Sequence, residues 1–306
     1  QVLREPVARA VPVGDDDSAA TAGSPPQRVV GLVAPNRGEI RLLESALAGK
    51  VEARTSDERA ALRMVFQNPT ASLNPKLPIR HAIVRTLRKF TRLSRQDSRD
   101  RALELARAVR LDPAYLDRYP GELSGGELQR AAMAAAFAGN AELIVADEAV
   151  SALDVSVQAQ VLNLLQQHQR ESGSSYIFIS HDLGVVRYVS DDILVLYAGH
   201  VAESGPAKWV LNAPSHPYTE ALLSAAPVPD PDAVPTRIRL PGTVPSLRER
   251  FQGCFFAERC PRKIGPICDQ TPPPARTGTN SPDHVIYCHI PVDELTAMQQ
   301  EQREGT

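Results

Sequence analysis

The sequence predicts an α/β fold, a mostly parallel sheet with flanking helices, followed by a small loop-rich extension. Three observations carry this. Residues 143–146 are a branched apolar run too short for a helix, ending in the carboxylates Asp147 and Glu148; such a run fits a strand covered on both faces. Ile177, Phe178 and Ile179 form a second apolar strand that ends in Ser180 and His181. Val157, Val161, Leu164 and Leu165 recur at helical spacing within residues 155–169 and read as a core-facing helix. Upstream, residues 29–33 read as a strand, 34–41 as a loop and 42–49 as helix-like. Before them, residues 1–28 hold a short β-like stretch, then Asp15, Asp16, Asp17 and a small, polar run to Pro26 that reads as a flexible loop.

The chemistry-bearing motifs lie along this frame. In Leu123-Ser124-Gly125-Gly126-Glu127-Leu128-Gln129-Arg130, a serine and two glycines precede a polar helix. That pattern serves an ordinary N-cap, and equally a backbone that approaches a phosphate at a helix N-terminus. Asp147 and Glu148 stand where open α/β sheets place ligands, although carboxylates there also cap helices. Val65-Phe66-Gln67-Asn68-Pro69, Ser151-Ala152-Leu153-Asp154 and Ile179-Ser180-His181-Asp182 complete the set. A histidine at a strand end, taken alone, is more often structural.

In this order, over roughly residues 28 to 205, the motifs resemble those of ABC-type ATPases. The resemblance implies an ABC-type P-loop NTPase core with a helical signature subdomain at about residues 70–140. It implies that Ser124, Gly125, Gly126 and Glu127 act in trans on the terminal phosphate of a nucleotide held by another domain. Asp147 would hold Mg²⁺ through water, Glu148 would polarise the attacking water, Gln67 would contact both, and His181 would reach the γ-phosphate. Asp154 would lie in the loop that crosses between two such domains.

One expected element is missing. A working phosphate loop reads G-x-x-x-x-G-K-[ST]. After Gly38, aligning the closing Ala48-Gly49 puts Ile40 at the lysine and Arg41 at the Mg²⁺-binding hydroxyl; a one-residue shift puts Glu39 at the lysine. Ile40 cannot neutralise phosphate charge, Glu39 would repel it, and Pro35 removes an amide donor. No aromatic precedes Phe66 to stack on adenine, and Glu148 is followed by Ala149-Val150 where the family has Pro-Thr. The expectation is an asymmetric pair, with a sound signature motif, a degenerate phosphate loop, and Gln67, Glu148 and His181 belonging to the poor site.

The C-terminal third narrows the resemblance. Pro214-Ser215-His216-Pro217-Tyr218, Ala71-Ser72-Leu73-Asn74-Pro75, Leu240-Pro241-Gly242 and Gly253-Cys254-Phe255-Phe256 resemble segments of dipeptide and oligopeptide importer ATPases and their nickel-transporting relatives. All four cysteines lie in this tail, at Cys254, Cys260, Cys268 and Cys288. Disulfides, zinc and an iron–sulfur cluster are all open to four thiols. The resemblance implies a [4Fe-4S] cluster, with zinc as the alternative. His289 reads as an outer hydrogen-bonding partner or an exposed residue, not a ligand.

Composition sets bounds. With 34 Lys+Arg against 36 Asp+Glu in 306 residues, broad nucleic-acid binding has no support. The basic residues between Arg85 and Arg101 read as solvated helix faces. No apolar run approaches the roughly 20 residues of a membrane-spanning helix. The resemblance therefore implies a peripheral subunit on the cytoplasmic face of the membrane. Its partners would be two permease subunits, a substrate-binding protein and a second, competent ABC ATPase domain. Because the chain begins at Gln1, that domain is either the preceding half of a longer polypeptide or a separate subunit. The expected domains are 1–28, an ATPase core at 29–210, the importer extension at 211–295 and a tail at 296–306. The expected function is an ATP-driven peptide importer subunit. The alternatives are a non-catalytic scaffold whose metal-bearing tail is the functional element, or an importer of nickel or another substrate.

Overall fold

A computed structural model of the chain describes residues 8–10, 25–43, 45–151, 153–212, 215–226, 237–245, 251–278 and 281–304. The loop expected between Asp15 and Ser24, Ala152, and the tail segment at Ser246 and Leu247 lie outside these residues. The chain divides into two units, residues 1–181 and 182–306.

The first unit runs β1 (Ala8–Ala10), α1 (Pro25–Val29), β2 (Ile40–Leu42), β3 (Ser45–Leu47), α2 (Ser56–Ala61), β4 (Leu62–Val65), α3 (Ile79–Phe90), α4 (Arg95–Ala108), α5 (Gly125–Phe137), β5 (Leu143–Asp147), α6 (Val155–Ser172) and β6 (Ser175–Ile179). Strands β4, β5 and β6 form the parallel sheet that the apolar runs predicted, with Leu62 opposite Leu143 and Leu143 opposite Ser175. Leu143, Ile144, Val145 and Ala146 are all buried, as a strand packed on both faces requires. Helices α3, α4 and α5 form the helical layer, burying Ile79, Ile83 and Leu87 of α3 with Ala102, Leu105 and Ala106 of α4. Helix α6 buries Val161, Leu164 and Leu165 of the stripe seen in the sequence, together with Leu162, while Val157 is half-buried.

The amino-terminal stretch differs from expectation. Residues 29–33 are not a strand: α1 ends at Val29, and the chain turns at Gly31, whose φ of 81° suits glycine. The Gly31 carbonyl accepts a hydrogen bond from Val51 N at 2.9 Å, and a Cβ on Gly31 would sit 2.8 Å from that nitrogen. Residues 42–49 are not helical either. β2 and β3 pair antiparallel, with β1 on the other edge of β2. The reason is a period of two: Ile40 and Leu42 face the core while Arg41 points to solvent. Leu42 and Leu47 join Leu62, Leu143 and Val145 in one apolar cluster. Core packing thus outweighs the helical propensity of Leu-Glu-Ser-Ala-Leu-Ala.

The second unit comprises α7 (Leu183–Val189), β7 (Asp192–Tyr197), β8 (His200–Pro206), α8 (Ala207–Val210), α9 (Pro217–Ala225), α10 (Ile267–Gln270), β9 (Ala275–Thr277), β10 (Val285–Tyr287) and α11 (Val292–Glu304). β7 and β8 form a hairpin whose turn residues Ala198 and Gly199 both have positive φ, the geometry that matches strand twist. β10 joins β8 and β9 joins β10, giving an antiparallel sheet in the order β7-β8-β10-β9. The units part at His181/Asp182, and β8 takes a sheet partner, β10, from the C-terminal stretch. Helix α11 extends to Glu304.

Tyr197, Ala202, Phe255 and Phe256 form one core of this unit. Glu203 on β8 is fully buried beside it, accepting from His216 N at 2.9 Å and facing His284 Nε2 at 2.6 Å. Burial raises the Glu203 carboxyl above the ordinary range, against the lowering effect of these bonds. His216 caps α9: its Nδ1 accepts from Tyr218 N at 3.0 Å, and burial pushes its pKa down to about 3. A base whose folded pKa lies below its unfolded value of about 6.5 stays neutral in the fold while the unfolded chain takes up a proton. Its contribution is therefore present above pH 6.5 and lost as the pH falls toward 3. His216→Asn, which keeps a capping acceptor, is expected to flatten the acid-side fall in urea stability between pH 7 and pH 5 by about 1 to 2 kcal/mol.

Candidate functional site

The three parallel strands end side by side, and the polar residues that follow them meet there. Gln67 lies two residues beyond β4, Asp147 ends β5, Glu148 follows it, and His181 lies two residues beyond β6. Gln67 Nε2 donates to Glu148 Oε2 at 2.8 Å, and His181 Nδ1 lies 3.4 Å from Glu148 Oε1. Glu148 is thus held between an amide and an imidazole. Its backbone is left-handed, with φ of 45°, while its N–H donates to the Ile179 carbonyl at 3.0 Å. A non-glycine residue held in that region stores strain of order 1 kcal/mol and persists where its surroundings fix it. Asp147 has its carboxyl raised by burial and then by the neighbouring Glu148 charge. Two adjacent carboxylates, one oriented by two polar partners, can position a cation and a water; they carry no phosphate-binding donors of their own.

The segment aligned with the phosphate loop runs into β2. Ile40 and Arg41 lie in β2, not at the start of a helix, and Arg41 Nη1 stands 3.7 Å from Glu39 Oε1 with both side chains about half exposed. Gly38 has φ of 76° in the loop that enters the strand. No helix begins between Val30 and β2, so the backbone N–H groups that would converge on an anion at a helix N-terminus are not assembled there.

The second set of residues sits on α5. Ser124 is its N-cap: Ser124 Oγ accepts from Glu127 N at 3.4 Å, and Glu127 Oε2 accepts from Ser124 N and Ser124 Oγ, both at 2.7 Å. This capping box lowers the Glu127 carboxyl pKa, chiefly through the Ser124 backbone bond. The two glycines differ. A Cβ on Gly126 would meet Val157 Cγ1 at 3.3 Å, so its smallness lets α5 approach α6. A Cβ on Gly125 would meet nothing within 4 Å, and no positive φ demands glycine there. Nothing among the described residues explains that glycine. Asp154 is the N-cap of α6, its Oδ1 accepting from Ser156 N at 3.1 Å and Val157 N at 3.0 Å. Val155 beside it is 83% exposed, an apolar side chain left uncovered next to that cap.

The four cysteines all lie in the second unit. Cys254 N donates to the Cys268 carbonyl at 2.7 Å, and the Cα of Gly253 lies so close to Cys268 and Asp269 that a Cβ would stand 2.3 Å from the Cys268 oxygen. Burial pushes the thiols of Cys254 and Cys260 up to about 11 and about 12, and raises that of Cys288; the neighbouring thiols add to each shift. The four sulfurs are therefore electrostatic neighbours. No three His, Cys, Asp or Glu side chains among the described residues stand in an arrangement that could hold a metal ion. His289 is buried, with Nε2 2.9 Å from the Thr271 carbonyl.

Comparison with known proteins bears on both units. Residues 27–151 match the ABC transporter family, and residues 202–268 match the C-terminal region of oligopeptide/dipeptide transporters. The oligopeptide transport ATP-binding protein OppF of Salmonella typhimurium is 45% identical over 270 residues, covering 87% of this chain and 79% of that protein. The chain belongs to the oligopeptide/dipeptide transporter family of ABC ATP-binding proteins. The di/tripeptide transport ATP-binding protein DppF of Pseudomonas aeruginosa, another relative, is 44% identical over 74% of this chain and 70% of its own length. Among solved structures, the ATP-binding cassette MJ0796, a post-hydrolysis dimer bound to ADP and Pi, matches with a TM-score of 0.52 at 27% identity. That match covers 60% of this chain and 78% of the cassette.

Within this ABC ATP-binding protein, the importance of Glu203, His216 and His284 was missed in the sequence, because their meeting depends on the β8–β10 pairing and no local pattern announces it. The N-cap at Ser124 was legible as a serine before a polar helix, but the reciprocal Glu127 bond was not. Two substitutions separate its folding role from any other. Ser124→Ala is expected to lower stability by about 1 kcal/mol. Gly125→Ala is expected to be neutral or to stabilise by up to about 0.5 kcal/mol. Urea denaturation of the isolated chain measures both; a marked loss in the glycine variant would mean the residue serves the fold after all.

Proposed function

We propose that this chain is a nucleotide-binding subunit of an ATP-driven di- or oligopeptide importer, and that its α5 N-terminus completes an ATP site on a second ATPase domain while its own site is degenerate. The relatives' names supply the substrate class. The contrast between the two faces carries the asymmetry: α5 begins with an intact Ser-Gly-Gly cap, whereas the segment preceding the Glu148 site runs into a strand without forming a helix N-terminus. Gly125 supports the reading, since its bare surface suits close approach by something outside the chain. The residues present do not fit a triphosphate at this chain's own site, and no hydrolytic step is assigned there. Gln67 and His181 hold Glu148 in place, with Asp147 beside it. Asp154 and Val155 belong to the surface facing the partner domain. No helix among the described residues is long and apolar enough to cross a membrane. Attachment to the cytoplasmic face through two permease subunits, served by a substrate-binding protein, follows from the importer reading.

The four cysteines are proposed as ligands of a [4Fe-4S] cluster, with zinc as the alternative. The thiols of Cys254, Cys260 and Cys288, raised by burial and by neighbouring thiols, are a donor set whose deprotonated form a cation would favour, although the described side chains as they stand do not form a metal site. Bound there, the group would tie together a loop-rich segment. Iron and sulfide analysis with a visible spectrum on anaerobically purified protein distinguishes the two, and a colourless, metal-free protein would remove both.

In the assembled importer, Gly125→Ala or Ser124→Ala is expected to lower ATP turnover by about 100-fold or more, the scale of losing transition-state contacts. Glu148→Gln is expected to change it far less than the same substitution in the partner domain. Unchanged turnover in the α5 variants, or complete arrest in Glu148→Gln, would sink the asymmetric reading.

A further inference from the structure

A cavity of about 380 Å³ opens in the first unit where β4 begins. The Gln67, Asp147, Glu148 and His181 group lies at the opposite, carboxyl end of the same strands. Arg54, Arg59, Arg63, Arg85 and Lys89 line the cavity, with Phe90 as its aromatic wall, and no acidic side chain lines it. Arg85 and Lys89, read in the sequence as part of a solvated helix face, are exposed, yet they form the rim of this basic hollow.

The inner arginines are not satisfied by the protein. Arg63 lies over the Phe90 ring, 3.8 Å from its centroid, and its Nη1 donates to the Arg59 carbonyl at 2.6 Å. Its Nε and Nη2, and the Nε of Arg59, are buried and meet no acceptor among the described residues. Burial pulls Arg63 down to about 10, because nothing adjacent balances its charge. Arg54 is different: its Nε and Nη2 each donate to a backbone carbonyl at 2.9 Å, of Ala48 and Val29, so it fixes the wall. Glu58, the acid whose charge acts on Arg54, is engaged in the cap of α2, accepting from Thr55 N at 2.7 Å. The Nε–Nη2 edge of Arg63 faces Gly139, where a Cβ would stand 2.8 Å from both nitrogens. Gly139 therefore sets where that guanidinium sits. Cations gathered in one concavity with no acidic lining raise the local concentration of anions and favour a ligand that brings oxygens.

We propose that this cavity binds a small phosphate-bearing anion, with Arg59, Arg63, Arg85 and Lys89 supplying the charge and Phe90 flanking any organic part. The volume lies at the lower end of small-molecule sites, roughly 300–1,000 Å³, which suits a phosphate monoester or a short inorganic polyphosphate. The site is distinct from the carboxyl-end group, so its occupancy does not depend on the importer reading.

Isothermal titration calorimetry of the full chain with pyrophosphate and with AMP, at about 0.15 M ionic strength to suppress diffuse attraction, tests this. Saturable binding of at least one probe is expected, tighter for AMP if the natural ligand is an organic monoester and tighter for pyrophosphate if it is inorganic. Arg85→Gln combined with Lys89→Gln changes exposed residues only and is expected to weaken binding about tenfold or more. Gly139→Ala, which displaces the Arg63 guanidinium while keeping its charge, is expected to weaken binding as well. Arg101→Gln removes an exposed arginine paired with Glu104 outside the cavity and should leave binding unchanged. No saturable binding of either probe, full binding in the Arg85/Lys89 variant, or equal loss in Arg101→Gln would overturn the proposal.

Discussion

The parallel pairing of β4, β5 and β6 is the constraint on which the first unit depends. Once Leu62, Leu143 and Ser175 are placed opposite one another, the following residues have no choice of location: Gln67, Asp147, Glu148 and His181 must emerge at one end of the sheet. The apolar burial of β5 drives that pairing, at about 25 cal/mol per Å² of surface removed from water. The polar contacts at the strand ends then cost little ordering, because the backbone has already brought them together. The same register puts the start of β4 at the other end, so one set of hydrogen bonds separates an acidic group from a basic cavity.

Much of this was readable in the amino acids. A short branched run ending in Asp147 and Glu148 announced a buried strand, a serine and two glycines before a polar helix admitted a cap, and the helical spacing of apolar residues in 155–169 announced a core helix. Each is a local signal whose physics is complete within a few residues. The errors fell where local and distant forces compete. Residues 42–49 have good helix formers, but Leu42 and Leu47 gain more by packing beside Leu143 and Val145 from a hairpin. Residues 29–33 look like a strand by composition, yet Gly31 turns the chain to meet Val51. The basic cavity was invisible because its arginines come from the end of α2, the start of β4 and one face of α3, which only folding brings together.

The candidate site was legible in its members and less so in their condition. The sequence named Glu148 and His181; it could not show Glu148 with a left-handed backbone between Gln67 and His181. It named Gly125 and Gly126 alike, while the structure separates one that lets two helices touch from one that touches nothing. That difference matters for reading any conserved-looking motif, since a residue explained by its own fold carries less weight for function than one that is not.

The buried carboxylate of Glu203 has a consequence for the layout of the second unit. It receives His216 from the start of α9 and His284 from the approach to β10, so strand pairing and helix capping there close around a single group. Cys288 follows β10 directly, and its thiol nears those of Cys254, Cys260 and Cys268 only when that strand is docked on β8. In the folded unit the pairing of β10 on β8 thus sets where Cys288 stands beside the other thiols.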